Sequence, residues 1–388
     1  MKKKIAILGS TGSIGVSTLE VVKRDKKNFD VILLSANNNY KKLIKQAKYF
    51  KTRNVLIKNK KFYLKVKKAL RNFNTKVYTG DVSIEKIIKN KLDYTMVAVV
   101  GLAGLQPTID AIKISNKVAI ANKESIICGW EILSKLIKKY KTNIVPVDSE
   151  HFSIKELTKG VKDEDVEEII ITASGGPFLN TPLKKLKKIK PKQAIKHPNW
   201  KMGKKISVDS ANLMNKVFEV IEAYNLFQFD KKKYRIVIHP QSYVHSIIRF
   251  KNGLIKMILY NTDMKIPISN ILYKGKINFS NNSNISIKTL NNLSFKKVNF
   301  KVFPSIKLLR KCFTLGSSTP IIINAANEVL VERFLRGEIK FLDIVKKINN
   351  VLKSKDFKKH AKVKPKSLKD IKITDNWARL KTMNMCVR

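Results

Sequence analysis

The 388-residue sequence is poor in acid: 29 aspartates and glutamates face 79 lysines and arginines, which gives a formal net charge of +50 at pH 7. Only ten of the basic residues are arginines. Reading of nucleic-acid bases favours the bidentate fork of arginine, so lysines spread over most of the chain argue against a nucleic-acid partner. We expect them to cover solvated surfaces, where a positive field helps to collect anionic substrates.

Cysteines and long apolar runs are also scarce. The three cysteines, Cys128, Cys312 and Cys386, form neither a disulfide framework nor a metal-ligand spacing, which is typical of a reducing compartment. The apolar run at 96–105 is interrupted by glycines and is shorter than the about 20 residues that span a bilayer. The sequence therefore predicts a cytoplasmic protein with no membrane partner.

Short apolar runs alternate with basic, helix-like segments in the first part of the chain. This alternation predicts a parallel, doubly wound α/β sheet. The predicted strands comprise residues 4–8, 31–35, 54–57, 94–100, 118–121 and 143–147, and the predicted crossover helices include residues 41–50 and 61–73.

After Asp148 the pattern changes to a second, central α/β region, which is followed by apolar residues at helical spacing from residue 305 onward. Strands are predicted at 167–172, 235–239, 246–251 and 254–261, and helices at 211–227, 306–314, 321–335 and 341–352. We expect a Rossmann-like domain at 1–149, a catalytic domain at 150–275, a linker rich in asparagine and serine at 276–303 and a small helical domain at 304–388.

The N-terminal glycines predict a dinucleotide site. Gly9, Gly12 and Gly15 follow the first predicted strand and open a helix, a context in which backbone amides approach a pyrophosphate. A strand entering a glycine-rich turn fits this segment better than a signal peptide does. The asparagines at 37–39 follow the second strand, where an NAD site would usually have a carboxylate. The pattern favours NADP, and an exposed amide-rich turn is the alternative.

Three carboxylates are notable in a chain with so little acid. Asp148 and Glu150 follow the predicted strand at 143–147, at the edge where open α/β sheets bind ligands, and an extended backbone would point both side chains the same way. Glu219 lies four residues after Asn215 on a predicted helix, with Lys216 beside them. Such a set predicts an oxygen-lined site for magnesium or manganese. Solvated acids are the alternative that spacing alone leaves open.

Hydroxyl, amide and ammonium donors predict a phosphate site. Ser174 begins a Ser-Gly-Gly turn after a predicted strand, and Ser210, Asn215 and Lys216 add further donors. An ordinary glycine turn is the alternative. The segment 197–203 contains proline, tryptophan and glycine without periodicity, which predicts a loop of the kind that closes over a ligand.

Taken together, these motifs resemble the 1-deoxy-D-xylulose 5-phosphate reductoisomerase family over nearly the whole chain, more weakly in its last third. The matching segments are GSTGSIG (9–15), VGLAGLQPT (100–108), ANKES (121–125), VDSEH (147–151), SGGPF (174–178), HPNWKMGKKISVDSA (197–211), NK (215–216), IHPQS (238–242) and NAANE (324–328).

The resemblance implies a homodimeric enzyme that uses NADPH and Mg²⁺ or Mn²⁺ to convert 1-deoxy-D-xylulose 5-phosphate into 2-C-methyl-D-erythritol 4-phosphate, an isoprenoid precursor. It implies metal ligation by Asp148, Glu150 and Glu219, which with Lys123 and His197 would be the catalytic residues. The implied NADPH contacts are Thr11, Gly12, Ser13, Ile14, Asn37, Asn38, Asn39, Asn122, Glu124 and Gly203. The implied substrate contacts are Lys123, Ser149, Glu150, Ser174, His197, Trp200, Ser210, Asn215, Lys216 and Glu219, with Trp200 and Met202 on a flap.

Two positions depart from the family's pattern. The family often has Ala-Gly-x-Asn after the second strand, where this chain has asparagine at 37, 38 and 39. The lost glycine and a frequent neighbouring lysine are expected to weaken the hold on the 2′-phosphate. After His151 the family usually continues with Asn and Ala, whereas this chain has Phe152 and Ser153. The rival interpretations are another NADP-dependent oxidoreductase of a phosphorylated substrate and a basic nucleic-acid-binding protein.

Overall fold

A computed structural model describes residues 2–200, 202–273 and 285–386. The chain divides into two compact units. The first contains the described residues up to Ser125, Leu133–Asp148 and the segment that begins at Asp263, and the second contains Ile126–Ile132, Ser149–Thr262 and the described residues from 285 onward. The four-segment division expected from the sequence stays a prediction, and residues 276–284 of its linker lie outside the described residues.

The described residues form twelve strands and eighteen α-helices. The strands are β1 (Lys3–Leu8), β2 (Phe29–Ala36), β3 (Asn54–Ile57), β4 (Lys76–Thr79), β5 (Leu92–Val97), β6 (Ser115–Ile120), β7 (Asn143–Pro146), β8 (Val166–Ala173), β9 (Tyr234–Ile238), β10 (Val244–Phe250), β11 (Ile255–Leu259) and β12 (Lys296–Lys297). The helices are α1 (Ser13–Arg24), α2 (Tyr40–Phe50), α3 (Tyr63–Ala69), α4 (Ile84–Ile87), α5 (Leu105–Ile114), α6 (Lys123–Tyr140), α7 (Ser149–Leu157), α8 (Leu183–Leu186), α9 (Pro191–Ala194), α10 (Lys204–Ala211), α11 (Met214–Phe227), α12 (Lys265–Tyr273), α13 (Ile287–Asn291), α14 (Lys307–Thr314), α15 (Thr319–Leu335), α16 (Asp343–Leu352), α17 (Phe357–Ala361) and α18 (Leu368–Asn384).

The first unit contains a seven-stranded sheet in the order β4-β3-β2-β1-β5-β6-β7. All of its strand pairs are parallel, which confirms the predicted doubly wound sheet. The six strands predicted from apolar runs are present. The seventh, β4, lies at the sheet edge without a fully buried residue, so it lacks the apolar run by which a strand is recognised.

The glycine-rich turn after β1 has the predicted strand–turn–helix form. Gly9 has a φ of +85°, and a Cβ on Gly15 would lie 2.4 Å from the Gly9 carbonyl oxygen, so neither position accepts a side chain without displacement. The backbone amides of Gly9 and Ser10 donate to the Ser35 carbonyl at 3.1 and 2.8 Å. This holds the turn against the end of β2, and α1 begins directly afterwards at Ser13.

The second unit contains a five-stranded sheet in the order β11-β10-β8-β9-β12. The β8–β9 pair is parallel and the others are antiparallel. A buried cluster joins the sheet to two helices, with Ile154 from α7, Val220 from α11, Ile169 from β8 and Ile248 from β10 among its members. This core fixes the two helices whose first two turns carry five of the predicted metal and substrate residues, namely Ser149, Glu150, Asn215, Lys216 and Glu219.

The helix predicted at 211–227 is present as α11, but it begins three residues later, at Met214. Leu213 adopts the left-handed conformation with a φ of +59° and separates α11 from α10, whose last residue is Ala211. The predicted linker also contains the short strand β12, paired with β9. The predicted C-terminal helices are present as α14, α15 and α16, and the basic tail adds α17 and α18. Among the described helices, none combines the length and apolar character needed to cross a bilayer.

Candidate active site

The second unit has a buried charge cluster where α7 and α11 begin. The Lys216 ammonium forms an ion pair with Glu219 at 2.6 Å and a second one with Glu150. The Asn215 amide donates to the other Glu219 oxygen. Glu219 and Lys216 are buried, and the Glu150 side chain is 15% exposed. Two carboxylates therefore share one ammonium, and the predicted common helix face of Asn215, Lys216 and Glu219 is confirmed.

Glu150 reaches this cluster from a helix, so the prediction that it lies on extended backbone is wrong. Strand β7 ends at Pro146 and α7 begins at Ser149, which places Glu150 in the first helical turn. There the exposed backbone amides favour a negative side chain. The Ser149 hydroxyl donates to Glu150 at 2.7 Å, and the Tyr260 hydroxyl donates to the Ser149 carbonyl at 2.9 Å.

The cluster stabilises its own ionised forms. Burial by itself would raise the pKa of Glu150, but the positive charge of Lys216 and the hydrogen bonds from Lys216 and Ser149 hold that pKa well below its usual value. Burial would lower the pKa of Lys216, yet its two carboxylate partners raise it above the usual value. The positive and negative side chains thus stabilise each other's ionised form, as a buried ion pair requires.

A second buried pair, His151 and Glu222, lies next to the backbone of Glu219. The His151 Nε2 atom lies 2.8 Å from the backbone carbonyl oxygen of Glu219, and its Nδ1 atom lies 3.6 Å from a carboxylate oxygen of Glu222. Both side chains are buried. Sequence reasoning did not single out Glu222, although it lies three residues after Glu219 on the same helix in an acid-poor chain.

The predicted phosphate donors come together around the turn after β8. The Ser174 hydroxyl lies 2.9 Å from His197 Nε2 and accepts a hydrogen bond from the Gly176 amide at 3.0 Å. A Cβ on Gly176 would lie 3.0 Å from the Ser210 carbonyl oxygen, so the turn packs directly against the end of α10. The glycine turn therefore brings Ser174, His197 and Ser210 into one region.

The environment of His197 fixes its tautomer. Its Nδ1 atom accepts hydrogen bonds from the backbone amides of Asn199 and Trp200 at 3.1 and 2.9 Å. The ring proton of neutral His197 must then lie on Nε2, where it donates to Ser174. Burial and the charge of Lys216 lower the pKa of His197 to about 4, against an opposing effect of Glu150.

The segment after His197 is a loop, as predicted, and its first part is anchored. The Asn199 amide donates to the Pro240 carbonyl at 2.7 Å and to the Ser242 hydroxyl at 2.8 Å. The Trp200 ring packs edge-on against His245 with ring centroids 6.0 Å apart. Lys201 lies outside the described residues, and Gly203 caps the start of α10 with extended backbone.

The first unit presents its predicted residues at the carboxyl ends of its strands. Lys123, the first residue of α6, forms a 2.7 Å ion pair with Asp148, which follows β7. The Asn122 side chain caps α6 by accepting from the Ser125 amide at 2.9 Å and donates to Glu124 at 3.0 Å. Residues 11–14 lie at the start of α1 and residues 37–39 follow β2. These positions share the edge at which parallel α/β sheets bind ligands.

Three family models match the chain. Residues 5–130 match the model described as 1-deoxy-D-xylulose 5-phosphate reductoisomerase, residues 144–227 match the C-terminal domain model of the same name, and residues 259–381 match the model described as DXP reductoisomerase C-terminal domain.

Comparison with individual proteins indicates the same family. The chain is 48% identical to the 1-deoxy-D-xylulose 5-phosphate reductoisomerase of Pelagibacter ubique over 99% of this chain and 100% of that protein. It is similar to the structure of the Zymomonas mobilis enzyme in complex with NADPH, with a TM-score of 0.91, 34% identity and coverage of 100% and 99% of the two chains. A DOX-P reductoisomerase in complex with NADPH, fosmidomycin and magnesium gives a TM-score of 0.93 at 30% identity, with coverage of 99% and 98%.

We expect the His197 ring to stay neutral, with its proton on Nε2, down to about pH 4. The ordinary pKa of 6.5 applies to the unfolded chain, which takes up a proton between pH 6.5 and 4 while the folded protein does not. His197 therefore lowers the free energy of unfolding as the pH falls through this window. Ring ¹⁵N NMR against pH, with the His197→Gln variant to assign the signal, measures both properties. A proton on Nδ1 or a midpoint near 6.5 would contradict the geometry.

Proposed function

The chain belongs to the 1-deoxy-D-xylulose 5-phosphate reductoisomerase family, and on this premise we propose which of its residues carry the reaction. The enzyme isomerises and reduces 1-deoxy-D-xylulose 5-phosphate to 2-C-methyl-D-erythritol 4-phosphate, and it depends on NADPH and a divalent metal. The observation that carries the assignment of roles is the pair Glu150 and Glu219, held together by Lys216.

Asp148, Glu150 and Glu219 are the proposed metal ligands. Carboxylate oxygens are the ligands that Mg²⁺ and Mn²⁺ prefer. Lys216 holds Glu150 and Glu219 together and keeps the pKa of Glu150 well below its usual value. The metal, when bound, supplies Lewis-acid polarisation of a carbonyl. His151 and Glu222 hold the backbone of α11 at Glu219 and so fix the direction of its carboxylate.

Hydrogen-bond donors around the Ser174 turn are proposed to bind the substrate phosphate. Neutral His197 offers Nε2–H and Ser174 offers its hydroxyl, so both donate to an anion without a change of protonation. Binding energy gained at the phosphate, away from the reacting carbons, orients the substrate. The proposed substrate contacts are Lys123, Ser149, Glu150, Ser174, His197, Trp200, Ser210, Asn215, Lys216 and Glu219.

Two lysines and the flap complete the proposed substrate site. Lys123 places a positive hydrogen-bond donor beside Asp148, where it can stabilise a developing negative charge on a substrate oxygen. Trp200 lies on the anchored loop after His197 and excludes water from the substrate. Lys216 lies against both glutamates, so it connects the phosphate donors to the metal ligands.

The NADPH site is proposed to lie at the carboxyl edge of the parallel sheet. The start of α1 offers backbone amides to the pyrophosphate, and the loop after β2 offers amides in place of a carboxylate. NADPH, when bound, supplies the hydride. The proposed contacts are Thr11, Gly12, Ser13, Ile14, Asn37, Asn38, Asn39, Asn122, Glu124 and Gly203.

We propose that the enzyme is a cytoplasmic homodimer whose copies meet at β11. This strand is one edge of the second unit's sheet and, within the part of the chain that the structure describes, pairs with β10 alone. Ile255 and Met257, two apart on one face of the strand, are 58% and 42% exposed, and Leu254 beside them is 58% exposed. An apolar edge strand is a ready surface for pairing with a second copy. The cytoplasmic assignment is supported by Cys312, which is a buried free thiol.

Glu219→Gln is expected to reduce turnover by about two to three orders of magnitude, since it removes a metal-binding charge while keeping the shape of the side chain. The measurement is NADPH oxidation with 1-deoxy-D-xylulose 5-phosphate, with and without Mg²⁺ or Mn²⁺, and identification of the product. Glu156→Gln, an exposed position on α7, is the matched control and should behave as wild type. Near-normal turnover of Glu219→Gln would rule out its role as a ligand.

A double variant, Ile255→Lys with Met257→Lys, is expected to convert the dimer into monomers, because two charges would be placed on the paired edge. Sedimentation velocity measures the change. Leu64→Lys, at a position that is 74% exposed in the first unit, is the control and should remain dimeric. A double variant that is still dimeric would place the interface elsewhere.

A further inference from the structure

Hydrogen bonds and a pair of stacked rings connect the loops that follow β2 and β3. The backbone amide of Lys58 donates to the Ala36 carbonyl at 2.9 Å, and that of Asn59 donates to the Asn37 carbonyl at 3.2 Å. Farther along, the rings of Tyr40 and Phe62 stack with centroids 4.7 Å apart. The position of the loop after β2, in which the NADPH contacts at 37–39 are proposed, is therefore set by the loop after β3.

Side-chain hydrogen bonds also fix which way the amides in these loops face. The side-chain oxygen Oδ1 of Asn59 accepts a hydrogen bond from the Lys61 backbone amide at 3.0 Å, which leaves the side-chain NH₂ group of Asn59 to face Asn38. That NH₂ group donates to the Asn38 side-chain oxygen at 2.8 Å. Because the oxygen of Asn38 is turned toward Asn59, its own NH₂ group is turned away and presented as a donor. A backbone amide thus sets the orientation of Asn38 through Asn59.

The charges around Asn38 also suit an anion. Residues 36–42 and 58–62 contain four asparagines, five lysines and no acidic residue. Of these lysines, Lys58 forms a 3.3 Å ion pair with Asp81. An NAD site would have a carboxylate at this edge to accept from the ribose 2′-hydroxyl, whereas a 2′-phosphate needs donors and positive charge. The oriented amide of Asn38 and the nearby lysines supply the donors and the positive charge that a 2′-phosphate needs.

We propose that Asn59 is a specificity-determining residue for NADPH over NADH, which acts by holding the Asn38 NH₂ group toward the 2′-phosphate. Asn59 is a positioning residue: its amide faces Asn38, and Asn38 makes the contact with the phosphate. The inference rests on the proposed NADPH site.

Dissociation constants of the full-length protein for NADPH and NADH, measured by nucleotide fluorescence, test the proposal. Adenosine 2′,5′-bisphosphate and AMP are used as competitors. Because they differ only in the 2′-phosphate, the difference between their affinities gives the contribution of that phosphate to binding. Asn59→Ser keeps a hydroxyl acceptor for the Lys61 amide but is too short to reach Asn38. Asn59→Asp keeps the shape but presents an acceptor, so Asn38 must reverse its amide and turn its oxygen outward. Asn74→Ser, at an exposed position before β4, is the control.

Loss of a hydrogen bond to a charged group predicts that Asn59→Ser raises the Kd for NADPH about tenfold. Asn59→Asp should raise it further, while the Kd for NADH stays within about twofold in both variants. The affinity of the variants for adenosine 2′,5′-bisphosphate should fall as their affinity for NADPH does, and their affinity for AMP should not change. An unchanged Kd for NADPH in both variants, or an equal rise for NADPH and NADH, overturns the proposal while the NADPH site stands. A wild-type protein with no preference for NADPH overturns both.

Discussion

The active-site structure depends on one ammonium shared by two carboxylates. Glu150 and Glu219 bring two negative charges into a largely buried region, and an uncompensated pair of that kind would cost several kcal/mol. Lys216 removes this cost, and it is itself kept charged by the carboxylates. Helices α7 and α11 must therefore begin at the same place, and the buried cluster that packs both helices on the second unit's sheet holds them there.

This constraint explains why the proposed substrate-binding groups lie near the cluster. The short break at Leu213 ends α10 with Ser210 and starts α11 with Asn215 and Lys216 within a few residues. The glycine turn after β8 then packs on the end of α10 and carries Ser174 to His197. The proposed phosphate donors and the carboxylates are thus positioned by adjoining helix ends, which is consistent with one substrate engaging both sets.

The sequence predicted the features that depend on local pattern. Six of the seven strands of the first sheet were predicted because each has a continuous apolar run, which the edge strand β4 lacks. The face shared by Asn215 and Glu219 follows from helical periodicity alone. The break at Leu213 was missed because leucine gives no signal for a left-handed conformation. The helical position of Glu150 was missed because a strand end and a helix start two residues apart look alike in sequence. The support from Glu222 and the role of Asn59 arise only from contacts between distant segments.

A Mn²⁺ titration of the whole protein, followed by electron paramagnetic resonance, measures whether the two carboxylates held by Lys216 bind the metal. Lys216→Met removes a positive charge that lies against two of the proposed ligands, and Coulomb's law then favours a cation there. We expect that the wild-type protein binds Mn²⁺ and that Lys216→Met, although less stable without metal, binds it more tightly. No binding by wild type, or weaker binding by a folded Lys216→Met protein, would show that the two carboxylates are not the metal ligands.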